Sequence, residues 1–125
     1  STFYISVLND VDRGWLSTQT NYRLPLAFSA GNYDRQDVNV SVDINFAQEF
    51  ASVNCSACDL NTDSVYLVEV SDLDSASVTD TLTEGSEWGI SYNTETKTGV
   101  LWFLVKGTTQ AGTSRYYYLY YDNLE

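Results

Sequence analysis

The fold is decided by the stretch Val38-Asn39-Val40-Ser41-Val42-Asp43-Ile44-Asn45-Phe46, in which apolar and polar residues alternate strictly. Successive side chains of a β-strand point to opposite faces of the sheet. The alternation therefore predicts a strand with one buried face and one face in contact with water. The residues that we expect in the core are Val38, Val40, Val42, Ile44 and Phe46.

Other segments also favour strands, because they are rich in β-branched and aromatic residues with turn residues between them. They are residues 2–8, 22–28, 64–70, 77–82, 87–92, 99–106 and 114–121. Together with 38–46 they make about eight strands, which is typical of an antiparallel two-layer β-sandwich of jelly-roll or immunoglobulin-like topology. We expect one all-β domain over residues 1–125, with one short helical turn at 47–53. Pro25 has no N–H to donate, so we expect its strand at a sheet edge or at a bulge.

Charge and composition restrict the function classes. The chain has 17 acidic and 6 basic residues, a net charge of -11 and no His. Nucleic acid is a poor partner for such a surface, because its binding requires neutralised phosphates. No apolar run approaches the length of a membrane helix, which predicts no membrane insertion. The missing His removes the usual general base and the commonest transition-metal ligand, and we therefore predict that the chain is not an enzyme.

Cys55 and Cys58 are the only cysteines and form the sequence C-S-A-C. No βαβ pattern surrounds them, as a redox motif would require, and a zinc site would need two more ligands. We predict that the two are joined in a disulfide, with free thiols or redox activity as alternatives. A disulfide is typical of an oxidising compartment, so we expect a secreted or cell-surface location.

Several acidic loops have oxygen-bearing side chains at the spacing that calcium ligands use. Asp59, Asn61 and Asp63 form one such loop, and the other two are residues 9–14 and the pair Asp72 and Asp74. The same residue types also build turns through side-chain-to-backbone hydrogen bonds. We therefore predict no cofactor, with a structural calcium ion as the alternative, and assign no metal site.

The chain is rich in aromatic residues, with ten Tyr among them. An aromatic ring can stack on a sugar ring while neighbouring carboxylates, amides and Arg side chains bind the hydroxyls. Tyr33 and Arg35 lie together in a polar loop and are the leading candidates for such a carbohydrate-binding site. Trp15, Trp88 and Tyr92 are further candidate platforms. In the alternative account the Tyr33 ring covers the core and Arg35 forms a surface ion pair with a neighbouring aspartate.

Five stretches carry a resemblance to known proteins: 22–26 (YRLPL), 31–37 (GNYDRQD), 38–46 (VNVSVDINF), 63–70 (DSVYLVEV) and 115–122 (RYYYLYYD). Their strand-and-turn pattern resembles the β-sandwich modules of secreted bacterial polysaccharide-degrading and cell-surface proteins. The resemblance implies a non-catalytic carbohydrate-binding module, attached to other domains of a longer chain, with a polysaccharide or oligosaccharide as its partner. A first residue other than Met also fits a processed chain or a piece of a longer one. The resemblance transfers no ligand residues.

A structural or adhesive sandwich that spaces other domains is the alternative function. The two functions differ in where they place the aromatic rings, since a spacer buries them and a sugar binder exposes two or more. The negative charge favours a neutral glycan. An anionic glycan is the alternative if Arg23, Arg35 and Arg115 lie together.

Overall fold

A computed structural model describes residues 3–8 and 22–124. In these ranges the strands are β1 (Tyr4–Val7), β2 (Tyr22–Ser29), β3 (Arg35–Asn45), β4 (Tyr66–Val70), β5 (Val78–Thr81), β6 (Trp88–Asn93), β7 (Thr98–Thr109) and β8 (Ser114–Tyr121). A short helix, α1 (Phe46–Ser52), follows β3, and a 3-10 turn (Thr62–Ser64) precedes β4. No helix among the described residues is long and apolar enough to cross a membrane.

The strands form two antiparallel sheets, which confirms the predicted all-β sandwich. Sheet I has five strands in the order β1-β2-β8-β4-β5, and sheet II has three in the order β3-β7-β6. The two sheets share one core of inward-facing apolar side chains. Its largest buried members include Phe28, Leu67, Trp88, Phe103 and Tyr117.

Strand β3 shows why the alternating stretch decides the fold. The predicted inward residues either lie in the core or pack against it: Val38, Val40, Val42 and Ile44. The strand ends at Asn45, whose side chain accepts a hydrogen bond from the backbone N–H of Gln48 at 3.1 Å and caps α1. Phe46 is therefore the first residue of the helix and enters the core from there. The helical segment was predicted correctly but begins one residue earlier than expected.

The expectation for Pro25 was wrong, because β2 lies inside sheet I between β1 and β8. The carbonyl of Pro25 accepts a hydrogen bond from the N–H of Leu8, just beyond the end of β1. In an antiparallel strand the N–H and C=O of one residue face the same neighbour. A backbone N–H at position 25 would therefore face β1 at the point where the hydrogen bonds between β1 and β2 end. For this reason an interior strand tolerates a proline at this position.

The outer face of sheet I is largely covered. Beyond the main core it carries a second buried cluster, formed by Val68, Val70, Tyr118 and Tyr120. Leu73 and Ala76 of the β4–β5 loop pack against this cluster, and the Tyr118 hydroxyl donates to the Leu73 carbonyl at 2.8 Å. The tyrosines on both sides of β8 are thus structural.

Candidate functional site

The leading candidates from the sequence are Tyr33, in the loop between β2 and β3, and Arg35, the first residue of β3. Tyr33 is 59% exposed, so its ring does not cover the core. Arg35 donates from Nε to the carbonyl of Ala30 at 2.8 Å. Its guanidinium carbon lies 5.5 Å from the ring centroid of Phe3 and 5.8 Å from that of Tyr33, which is within the range of cation–π contacts. Arg35 thus contacts the exposed ring of Tyr33.

This loop is held in place by the aspartates on either side of Arg35. Asp34 accepts a hydrogen bond from the backbone N–H of Ala111 at 2.8 Å, across the β7–β8 loop. Asp37 accepts one from the N–H of Gly107 at 2.7 Å, which lowers the pKa of Asp37. Both carboxylates therefore bind backbone amides. Asp34 ties the loop that carries Tyr33 to the β7–β8 loop, and Asp37 ties β3 to β7.

Trp88 and Tyr92 lie on the inward side of β6, where Trp88 is buried and Tyr92 is half-buried. Trp88 is 2% exposed and belongs to the core, so it offers no ring face to a ligand and is removed from the candidates. Tyr92 packs edge-on against Phe46, and its hydroxyl donates to Asp59. Burial, followed by this hydrogen bond, raises the pKa of Tyr92 to about 12. The two residues share one face, as their spacing predicts, but that face is the buried one.

The predicted disulfide between Cys55 and Cys58 is present, with the two Cα atoms 5.3 Å apart. This separation is within the usual range for disulfides. Lys97, in the β6–β7 hairpin, donates to the carbonyl of Cys58 at 2.8 Å. The disulfide loop is therefore fastened to the hairpin, which gives it a structural role.

The described acidic loops form turns. Asn61 accepts from the N–H of Asp63 at 3.1 Å, and Asp72 accepts from the N–H of Ser75 at 2.8 Å. Within 3–8 and 22–124, no group of three or more His, Cys, Asp or Glu side chains is placed to hold a metal ion. The candidate calcium loop 9–14 and the candidate platform Trp15 lie outside the described residues.

The outward face of sheet II is an open sheet surface, and we call it the Trp102 face. The strand register places its side chains in four rows: Asn39 and Leu104; Ser41, Trp102 and Gly89; Asp43, Val100 and Ser91; Asn45, Thr98 and Asn93. The central strand β7 contributes an apolar stripe, and the flanking strands contribute small polar side chains. Val100 is 43% exposed, so part of this stripe is open to solvent.

Trp102 extends across its neighbouring strand and covers Gly89. A Cβ atom at position 89 would lie 2.9 Å from Cε2 of the indole and still closer to Nε1. The ring therefore occupies the space that any larger side chain at position 89 would need. Trp102 stays half-buried in the middle of the face, with Ser41 opposite it on β3. A ring held in this way is supported by the sheet on one side and remains accessible.

A shallow depression of about 680 Å³ adjoins the Trp102 face at the β6–β7 hairpin. Ser91 and Val100 belong to both surfaces, and the remaining lining comes from residues 92–95, 98 and 99. Asn93, Glu95 and Thr98 provide amide, carboxylate and hydroxyl groups, which can donate to and accept from a ligand rich in hydroxyls.

No family model, curated protein or solved structure matches this chain. Any assignment of function therefore depends on the geometry of these surfaces.

Trp102 was not among the residues that the sequence selected. The stretch 100–105 (VLWFLV) is apolar at every position, so no alternation indicates which of its side chains face outward. The missing information is the register with β3, which places Trp102 opposite the polar Ser41 and Phe103 opposite the core residue Val40. The polar positions of β3 would have identified Trp102 if that register had been known.

Proposed function

We propose that this chain is a non-catalytic carbohydrate-binding domain that binds sugar rings on the Trp102 face. The observation that carries the proposal is the position of Trp102, held over Gly89 in the centre of an open sheet surface. Sugar C–H groups stack on the face of an aromatic ring. Ser41, Asp43 and Ser91, next to the ring in the register, supply groups that can bind sugar hydroxyls. Tyr33 and Arg35 form a second aromatic contact at the β2–β3 loop in this proposal.

Three of the described carboxylates are engaged in ion pairs, and this supports a non-catalytic role. Glu69 pairs with Arg115, and both Asp80 and Glu87 pair with Lys106. A glycosidase needs two carboxyl groups that face the scissile bond. These three groups are instead engaged in ion pairs with cations. The disulfide fits a secreted or cell-surface protein, and we place the domain within a longer chain of that kind.

The alternative function is a structural or adhesive spacer. It is favoured by the burial of most described aromatic residues, since Trp88, Phe103 and the tyrosines 117, 118, 120 and 121 all lie in the two cores. In that case the indole of Trp102 serves to cover Gly89, a known way of stabilising a glycine in a sheet. The two functions make opposite predictions for Trp102.

Replacement of Trp102 separates the two functions. A glycan array with the wild-type protein first identifies a ligand. If the ring is an anchor, Trp102→Ala should lose about 1–3 kcal/mol of binding free energy in titration calorimetry. Its melting temperature should fall by a few degrees at most, about 1 kcal/mol of stability. Tyr4→Ala is the matched control, because Tyr4 is 60% exposed but lies on the edge strand of sheet I.

Two results would contradict the proposal. In the first, wild type binds no glycan on the array. In the second, Trp102→Ala binds as tightly per folded molecule as wild type, while its unfolding free energy falls by several kcal/mol. The second result would assign Trp102 to the spacer function.

A further inference from the structure

Two of the described cations are held in ion pairs with carboxylates. Lys106 lies 2.6 Å from an oxygen of Asp80 and 2.9 Å from one of Glu87. Arg115 donates from two nitrogens to the two carboxylate oxygens of Glu69, each at 2.7 Å. Arg115 and Glu69 lie on neighbouring strands of sheet I, whereas Lys106 of β7 is paired with Asp80 of β5 and with Glu87. Both cations are engaged by these carboxylates, which compete with any ligand on the Trp102 face.

The other described cations lie away from that face. Lys97 donates to the Cys58 carbonyl, on the side of the disulfide loop. The guanidinium of Arg23 lies 4.2 Å from the ring centroid of Tyr118, on the outer face of sheet I. Arg35 contacts Tyr33 in the β2–β3 loop. Among the outward side chains of the Trp102 face there is accordingly no described cation, and the chain as a whole has a net charge of -11.

Asp43 is the charged residue in the four rows of the Trp102 face. It is exposed, lies opposite Val100 in the register, and is one row from Trp102. A sugar stacked on the indole would have its ring substituents within a few ångströms of this carboxylate, because neighbouring strands are about 4.8 Å apart. Asp43 can accept hydrogen bonds from hydroxyls, but it repels a carboxylate or a sulfate.

We propose, on the basis of the proposed function, that the ligand is an uncharged polysaccharide and that Asp43 is the residue that rejects anionic chains. The open strip along β7 contacts several consecutive sugars in this proposal. Repulsion between exposed charges acts over about 10 Å at moderate ionic strength. A uronic acid residue next to Trp102 falls within that distance of Asp43.

Affinity electrophoresis with matched polymers tests this selectivity. The acidic protein migrates in a native gel that contains either hydroxyethylcellulose or carboxymethylcellulose, and in further gels with methyl-esterified pectin or polygalacturonate. In each pair the sugar backbone is the same, and one member carries uncharged substituents where the other carries carboxylates. We expect the neutral member of at least one pair to retard wild type, and its anionic member to retard wild type much less at low salt.

Asp43→Asn keeps hydrogen-bonding groups and removes the charge. We expect it to bind the anionic member about two- to fivefold more tightly than wild type does, the range of an exposed charge pair. Binding of the neutral member should stay within about twofold. Asp74→Asn, in the β4–β5 loop, makes the same change in net charge away from the Trp102 face and should alter neither affinity.

The outcomes separate this inference from the proposed function. If wild type binds the anionic member as tightly as the neutral one, and Trp102→Ala abolishes both, the carbohydrate-binding function holds and the selectivity is refuted. If Asp43→Asn and Asp74→Asn have equal effects, net charge rather than Asp43 excludes anions, which overturns the role of Asp43. If no polymer is bound through Trp102, the proposed function and this inference both fail.

Discussion

Gly89→Ala should displace the Trp102 indole without removing it. The new Cβ would lie 2.9 Å from Cε2, whereas ordinary contacts begin at 3.4 Å, so the ring must move by at least ~0.5 Å there and by more at Nε1. Gly89 is not among the glycines with positive φ, so Ala is compatible with its backbone. Loss of glycine freedom in the unfolded chain stabilises the fold by about 0.4–1 kcal/mol. The lost contact with the indole offsets this gain, and we expect little net change in melting temperature.

Gly89→Ala should change the affinity for the glycan more than it changes the stability of the fold. A displaced ring loses part of the stacking energy of an aromatic anchor, and we expect about 1 kcal/mol, or roughly fivefold in Kd. Titration calorimetry with the array ligand measures the loss, and acrylamide quenching of tryptophan fluorescence reports the displacement of the ring. In a Trp102→Ala background, Gly89→Ala should have no further effect on binding. If Gly89→Ala clearly increased the quenching but left the affinity for the glycan unchanged, the position of the Trp102 ring would not matter for binding.

Two other predictions concern Tyr92 and Tyr33. With its pKa raised to about 12, against an ordinary value near 10, Tyr92 keeps its proton longer in the folded state. The contribution of Tyr92 to the free energy of unfolding is therefore fully present below about pH 10 and is lost as the pH rises toward about 12. Urea unfolding should show wild type more stable than Tyr92→Phe at about pH 9, with a smaller difference at about pH 11; a constant difference would contradict this. Tyr33 precedes β3, and the first residue of that strand, Arg35, already lies roughly 20 Å along it from Ser41 in the Trp102 row. Tyr33→Ala should therefore weaken binding of a long polymer but not of a short oligosaccharide. Equal losses for both lengths would show that the two surfaces are not separate.

The sequence was sufficient for most of the fold because period-two patterning is a local signal. The alternation of 38–46 identified both faces of β3, and the strand predicted over 64–70 corresponds to β4. Pro25 was misplaced for a non-local reason. A missing backbone N–H costs a hydrogen bond only if the neighbouring strand extends to that position. Where β1 ends is set by its pairing with β2 and cannot be derived from the sequence of β2.

The candidate site was less predictable, because it depends on which faces the sheets leave open. Tyr33 was identifiable from its polar loop, and the structure does expose it. Trp88 lies in a stretch where Trp88, Ile90 and Tyr92 alternate with small or polar residues, whereas Trp102 lies in a stretch that is apolar at every position. For Trp102, only the register with β3 shows that the side chain faces outward. An aromatic residue in a strand can be assigned to a surface only after its partner strands are known.

The position of β8 has a consequence for the order in which the protein can fold during synthesis. This strand lies between β2 and β4 and pairs with both. Until the ribosome has released Tyr121, sheet I consists of two separate hairpin-like pairs, β1 with β2 and β4 with β5, each with an open edge. Such edges are prone to pair with other chains. A nascent chain stalled before residue 114 should therefore be sensitive to proteases and bind chaperones, although it already contains every residue of the Trp102 face.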